Sequence, residues 1–177
     1  MANSIELERT FLLRNIPGLK GCGRIEVEDL YIPKVVNHPT VRIRKIGSRM
    51  EITKKTPAKG SDSSEQNENT IPLSSEEYGV LSKLPGNELL KTRYFFQVGD
   101  TVAEIDIFHG KLEGLAMVDF EFSSRQAMEA FQPPAFCLAE VTQEHALAGG
   151  MLCGKSYRDI EPTLARYGYR KVSFKAP

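Results

Sequence analysis

Over much of the chain apolar and charged residues alternate with a period of two, the pattern of half-buried β-strands. It predicts strands over Ile5 to Leu13, Arg24 to Ile32, Thr40 to Lys45, Arg49 to Lys55, Lys91 to Val98, Thr101 to Phe108 and Leu115 to Phe122. Gly47-Ser48 joins the third and fourth runs as a hairpin, and residues 109–114 join the sixth and seventh. Ser74 with Glu77 forms a capping-box start for a helix through Lys83, stopped by Pro85-Gly86. Ser123 with Gln126 does the same for Arg125 to Phe131, closed by Pro133-Pro134. Near the C-terminus, Gln143 to Leu152 reads as a short helix despite Gly149-Gly150, and Pro162 as the first residue of a turn or two ending near Gly168. Residues 59–67 contain no large apolar side chain, so 56–70 is expected to be an exposed, flexible loop inside the domain. Strands outnumber helices and the βαβ rhythm of a parallel sheet is missing. The fold class is therefore α+β, mainly β: one domain over 1–177, with a helical segment at 143–177.

Successive strand residues point to opposite sides, so each run can be sorted into two faces. Ile5, Leu7 and Phe11 oppose Glu6, Glu8 and Thr10, while Val41 and Ile43 oppose Arg42 and Arg44. Ile52 opposes Glu51, Thr53 and Lys55, and Tyr94 opposes Lys91 and Arg93. Ile105 and Ile107 oppose Glu104 and Asp106, and Val118, Phe120 and Phe122 oppose Asp119 and Glu121. The charged faces carry like-sign pairs two residues apart. Charged faces turned to water are ordinary in antiparallel sheets. Like charges ~7 Å apart nevertheless repel weakly, and a merely solvated surface has no reason to segregate them strand by strand.

Composition narrows the possible roles. The 177 residues carry 23 Lys+Arg against 23 Asp+Glu, which argues against a nucleic-acid binder that works by bulk positive charge. A chain of this length hides roughly 70% of its unfolded surface and needs no disulfide or structural metal to form a core. Cys22, Cys137 and Cys153 are odd in number and form no CxxC pair, which fits a reducing, cytoplasmic compartment. No apolar run approaches the ~20 residues of a membrane span, and the first residues lack the pattern of a signal peptide. His38, His109 and His145 show no ligand spacing, Gly21-Cys22-Gly23 lacks the GK[ST] of a phosphate loop, and Cys137 reads as a buried thiol.

The segregated charge carries the chemistry. Strands that collect carboxylates suit a hard divalent cation such as Mg²⁺, and strands that collect Arg and Lys suit phosphoryl oxygens. A sheet closed so that both face inward would hold a metal and a polyphosphate together, with helices covering the apolar faces outside.

Glu6-Leu7-Glu8-Arg9-Thr10-Phe11-Leu12 resembles the ExExK opening strand of the CYTH, or triphosphate tunnel metalloenzyme, superfamily. The resemblance continues in order through Val41-Arg42-Ile43-Arg44, Thr53-Lys54-Lys55, Lys91-Thr92-Arg93-Tyr94, Glu104-Ile105-Asp106-Ile107-Phe108, Gly114-Leu115, Val118-Asp119-Phe120-Glu121-Phe122 and Glu140-Val141-Thr142. It implies an eight-stranded antiparallel closed β-barrel with helices outside, acting on triphosphates with Mg²⁺ or Mn²⁺. It also implies that Glu6, Glu8, Asp119 and Glu121, supported by Asp106, are the metal-side acids. Arg42, Arg44, Lys55, Lys91 and Arg93 fall where such proteins keep phosphate-binding cations, and with Glu6 and Glu8 they make up the catalytic set. The chain departs from the family pattern at Thr10, where the motif has lysine, and after Thr142.

The expected substrate is a small triphosphate or short polyphosphate. Inorganic tripolyphosphate is favoured, because the chain has no Trp to stack an aromatic base or thiamine ring. Thiamine triphosphate hydrolysis, ATP cyclisation and a non-catalytic polyphosphate- or nucleotide-binding module are the alternatives. No nucleic acid or membrane partner is expected, and the protein is either a monomer or a homodimer.

Overall fold

Strands with one apolar and one charged face must bury the apolar one, and in this chain they do so outward, beneath helices and loops. The computed structural model describes residues 4–174. Its strands are β1 (Ser4–Leu13), β2 (Gly23–Ile32), β3 (Val41–Ile46), β4 (Arg49–Pro57), β5 (Glu65–Pro72), β6 (Asn87–Val98), β7 (Thr101–Phe108), β8 (Ala116–Phe122) and β9 (Cys137–Glu140). The sheet runs β5-β4-β3-β2-β6-β7-β8-β1, and antiparallel pairing of β5 with β1 closes it into an eight-stranded barrel. Short β9 adds to the end of β1 beyond the ring. The helices are α1 (Ser75–Leu81), α2 (Arg125–Ala130), α3 (Gly149–Leu152) and α4 (Tyr157–Arg166). Among the described residues no helix is long and apolar enough to cross a membrane.

The seven strands expected from alternation form with ends shifted by at most a few residues, but the expected 56–70 loop needs correction. Its second half is β5, which pairs Lys55↔Glu68 on one side and Glu6↔Gln66 on the other. Gln66, Glu68 and Thr70 face inward, while outward Asn69 and Ile71 stay exposed. With polar residues on both faces, this strand shows no alternation. The expected helix over 143–152 is also broken: a 3-10 turn spans His145–Leu147 and α3 begins at Gly149. Glu144 caps the turn by accepting from the Ala146 amide, and two successive glycines weaken helix continuity. Pro162 lies inside α4, which starts instead from a Ser156–Asp159 capping box.

Two apolar clusters frame the barrel. Outside it, Phe11, Leu13, Tyr94, Ile105, Val118 and Phe120 pack under Phe131, Phe136 and Leu19. Each such side chain contributes ~1.5–3 kcal/mol by burial. Arg9, also on this outer face, donates to Glu140 and to the carbonyls of Met128 and Phe131 at the end of α2. Its guanidinium lies over the Phe11 and Phe131 rings. The second cluster stoppers one end of the barrel: inward-facing Leu12, Tyr31, Leu89, Phe108 and Met117 meet Leu147, Leu152, Ile160 and Leu164 from the C-terminal segment.

Candidate functional site

Pairing register decides which side chains share the barrel interior, because directly opposed residues point to the same side. Glu8↔Glu121, Thr10↔Asp119, Glu104↔Asp119 and Arg93↔Asp106 place the acids of β1, β7 and β8 on one continuous inner wall. Lys91↔Val27, Asp29↔Arg44, Tyr31↔Arg42 and Arg42↔Thr53 place the cations of β6 and β3 on the facing wall, with Lys55 beside them on β4. All the sequence-selected residues, Glu6, Glu8, Arg42, Arg44, Lys55, Lys91, Arg93, Asp106, Asp119 and Glu121, therefore line one tunnel. Toward the mouth, Arg93 at 13% and Lys55 and Glu68 at 24% retain solvent access although the barrel encloses them, whereas Asp29, Arg44, Lys91 and Asp106 are buried deeper in. Glu121 lies at the open mouth and is exposed.

The charges form three groups. Arg44 donates to both oxygens of Asp29, at 2.6 and 2.8 Å. Asp29 is buried, which opposes its ionisation, yet Arg44 holds its carboxyl below the usual range. Arg93 donates to both oxygens of Asp106 at 2.7 Å, reaches Asp119 at 3.1 Å and pairs with Glu104, while Lys91 also donates to Asp106. Burial works against the Asp106 charge, but Arg93 and Lys91 outweigh it and hold that carboxyl well down. In the third group the Lys55 ammonium pairs with Glu6, Glu8 at 3.6 Å and Glu68 at 3.2 Å. Burial still pushes the Glu8 carboxyl up to about 7; Lys55 opposes this, and Asp119 and Glu6 add to it. Glu121 is likewise raised to about 7, by partial desolvation and then by Glu104 and Glu6.

Arg42 differs from the other cations. Its nearest polar neighbours are the Tyr31 hydroxyl at 3.5 Å and Glu68 at 4.0 Å, and its Nε is buried with no hydrogen-bond acceptor. The guanidinium thus keeps donors uncommitted inside the tunnel.

The chain belongs to the CYTH triphosphate tunnel family. An inorganic triphosphatase of Nitrosomonas europaea is 30% identical over 143 residues, covering 78% of this chain and 90% of that protein. The crystal structure of the inorganic triphosphatase NE1496 superposes with a TM-score of 0.61 at 26% identity, covering 84% of this chain and 93% of the other. A Bacillus halodurans chain with a TM-score of 0.53 at 14% identity, covering 99% of this chain and 96% of its own, shares the fold. No family model matches the chain.

This CYTH tunnel also contains residues that sequence reasoning did not select. Asp29 and Tyr31 face inward from β2, but outward Glu26 and Glu28 give that strand a charged face on the wrong side. Glu68 lies in the stretch read as a loop. Asp29 and Tyr31 share strand parity with Val27, and the pairings Asp29↔Arg44 and Val27↔Lys91 turn that face inward. Of the histidines, His38 and His145 bond each other at 2.8 Å and His109 bonds Thr92, all away from the tunnel wall. Cys137 is buried, as expected.

The acids are not gathered into a ready-made coordination shell: among the described residues no three His, Cys, Asp or Glu converge as one. Lys55 stands between Glu6 and Glu8, and Arg93 between Glu104, Asp106 and Asp119. The donor chemistry nevertheless fits a hard divalent cation. The wall offers oxygen donors, its carboxylates together with the Thr10 hydroxyl, and the buried Glu6 Oε2 has the Lys55 ammonium as its partner.

Proposed function

We propose that this CYTH protein hydrolyses a triphosphate compound, inorganic tripolyphosphate foremost, with a divalent cation, Mg²⁺ or Mn²⁺, inside the tunnel. The observation that carries this reading is one enclosed interior with a carboxylate wall facing a guanidinium and ammonium wall. Glu6, Glu8 and Glu121, with Asp119, would hold the cation. When bound, it supplies neutralisation of phosphoryl charge and acidifies water.

The chain's own residues do the rest. Arg42, with its uncommitted Nε, binds phosphoryl oxygens through planar donors. Lys55, partly solvent-accessible, adds a second donor on the same side. Asp106 clamps Arg93 and Lys91 in place, so these two cations meet the developing charge on the terminal phosphoryl and leaving group without reorganising. Asp29 does the same for Arg44. The stoppered end keeps the chain of phosphates from passing through and excludes bulk water there.

One observation favours a second reading. Thr10 occupies the motif lysine position, so the tunnel has one cation fewer than the family pattern, as a polyphosphate-binding module would allow. Phosphate release from tripolyphosphate, ATP and thiamine triphosphate, with and without Mg²⁺ or Mn²⁺, tests both. Metal-dependent release from tripolyphosphate is expected, and tight binding with background turnover would leave the binding module standing.

A further inference from the structure

The histidines show no ligand spacing along the chain, yet the fold brings two of them together across 107 residues. His38 lies on the loop between β2 and β3, and His145 opens the 3-10 turn that leads into the C-terminal stopper. His145 Nε2 lies 2.8 Å from His38 Nδ1, with the ring centroids 4.4 Å apart and the planes nearly perpendicular. One ring donates and the other accepts, so each turns a nitrogen toward the same point. His145 is exposed and His38 half-buried, which leaves the pair open to solvent on one side.

Backbone packing holds this approach. Gly150, at the start of α3, comes so near the β2–β3 loop that an added Cβ would collide with the Pro39 carbonyl oxygen and lie 2.7 Å from the His38 ring. The glycine that weakens the expected helix is thus what lets the stopper sit against His38. The neighbouring acid is committed elsewhere: Glu144 caps the turn through the Ala146 amide and accepts from Arg166 at 2.5 Å and from Tyr167 at 2.9 Å. Among the described residues no third His, Cys, Asp or Glu joins the pair. Burial, and then His145, hold the His38 imidazole below its usual range, so the ring is neutral at pH 7 and keeps a lone pair.

We propose that His38 and His145 chelate one imidazole-preferring divalent cation of the zinc class, separate from the hard cation of the tunnel, and that this ion clasps the stopper to the β2–β3 loop. Imidazole nitrogens suit Zn²⁺, Ni²⁺ and Cu²⁺, whereas carboxylates suit Mg²⁺ and Mn²⁺. Tetrahedral Zn²⁺, with Zn–N bonds of about 2.0–2.1 Å, holds two ligand nitrogens about 3.3 Å apart. The pair therefore has to open by only about half an ångström, which an exposed ring on a short turn can supply. Entry of the ion replaces the N–H···N bond with two nitrogen–metal bonds. The shared proton moves to the far nitrogen of its ring, and water fills the remaining positions. The site does not depend on what the tunnel hydrolyses.

The test is calorimetry of the whole chain with Zn²⁺ in excess Mg²⁺. One Zn²⁺ per chain is expected in wild type and in Glu6→Gln, with affinity lowered about tenfold or more in His38→Gln and in His145→Gln. His145 is exposed, so its variant decides the comparison if the His38 substitution perturbs the loop. Zn²⁺ at ten times its Kd should raise the folding equilibrium of wild type about elevenfold, or about 3–5 °C in Tm, and neither histidine variant should show the rise. Cu²⁺ reports the ligands themselves: electron paramagnetic resonance should show coupling to two imidazole nitrogens in wild type and to one in each variant. A wild type that takes up no Zn²⁺ overturns the proposal, as does a copper spectrum with oxygen ligands alone. Uptake that survives both histidine substitutions but disappears in Glu6→Gln also overturns it, by assigning the ion to the tunnel.

Discussion

The Thr10 hydroxyl donates to Asp119 Oδ1 at 2.8 Å, across the β1–β8 ladder and inside the tunnel. The other oxygen of Asp119 takes a guanidinium N–H of Arg93 at 3.1 Å. Where the family motif has a lysine, this chain therefore has a neutral side chain that orients a carboxylate. Arg9, one residue earlier, cannot substitute, because its side chain is on the outer face.

Thr10→Lys should place an ammonium beside Asp119 and Glu8, within the reach of a bound phosphoryl group. The expected result is a rise in kcat/KM for tripolyphosphate of about tenfold, equivalent to ~1.4 kcal/mol. Steady-state kinetics on the variant checks it. A variant that binds polyphosphate more tightly at background turnover would mark the protein as a binding module.

Glu8→Gln should abolish metal-dependent turnover while leaving the metal-free protein at least as heat-stable as wild type. Burial is the main force against the Glu8 charge, and Asp119 and Glu6 add repulsion, which together outweigh the attraction of Lys55, so removing the charge relieves both. Lys55 keeps Glu6 and Glu68 as partners. Thermal melts beside an activity assay measure both effects, and unchanged turnover would remove Glu8 from the site.

Arg42→Lys should keep the charge but lose the planar donors, including the Nε that has no acceptor within the protein. A loss of ten- to a hundredfold in kcat/KM is expected from a charge-assisted hydrogen bond worth ~1.5–3 kcal/mol. Circular dichroism should show the fold intact, and full activity in the lysine variant would mean that Arg42 does not touch substrate.

Asp29 predicts an acid limb in stability. Arg44 lowers its folded pKa below the unfolded value of about 3.9, so the pair's contribution is present above that value and disappears as pH falls toward the folded one. Asp29→Asn should cost ~3–5 kcal/mol at neutral pH, because Arg44 is left buried and unpaired. The variant's denaturant midpoint should then fall less steeply than that of wild type below about pH 4. Parallel slopes for the two proteins would assign the acid limb to other groups.

Arg9→Ala tests the opposite face of the same motif. It removes the bonds to Glu140, Met128 and Phe131 and uncovers two aromatic rings. A loss of ~2–3 kcal/mol in unfolding free energy is expected, with specific activity per folded molecule retained. A loss of activity without a loss of stability would contradict an outer, structural role.

Much of this was legible because strand periodicity is local. Glu6 and Glu8 share a face for the same reason that Leu7 and Phe11 share the other, and no distant residue is needed to establish it. The like-sign pairing on β1, β3, β6, β7 and β8 then pointed to the tunnel residues before any pairing was known. Local reasoning failed where a strand lacked polarity contrast. Both faces of β5 are polar, so Glu68 reads as one acid of a loop and not as a tunnel residue, and on β2 the outward glutamates conceal Asp29 and Tyr31.

The sequence by itself determined which side chains travel together on a strand face and what chemistry each face could offer. Tertiary structure decided which faces meet. Closure of the ring joins Glu6 to Gln66 across some sixty residues of chain, and the stopper brings Leu152 and Leu164 onto Leu12 and Leu89. Those contacts depend on loop closure and on burying apolar surface from distant segments, which no window of neighbouring residues encodes. They also settle which charges are committed: Asp106 to Arg93 and Lys91, Asp29 to Arg44, and Arg42 Nε to no acceptor in the protein.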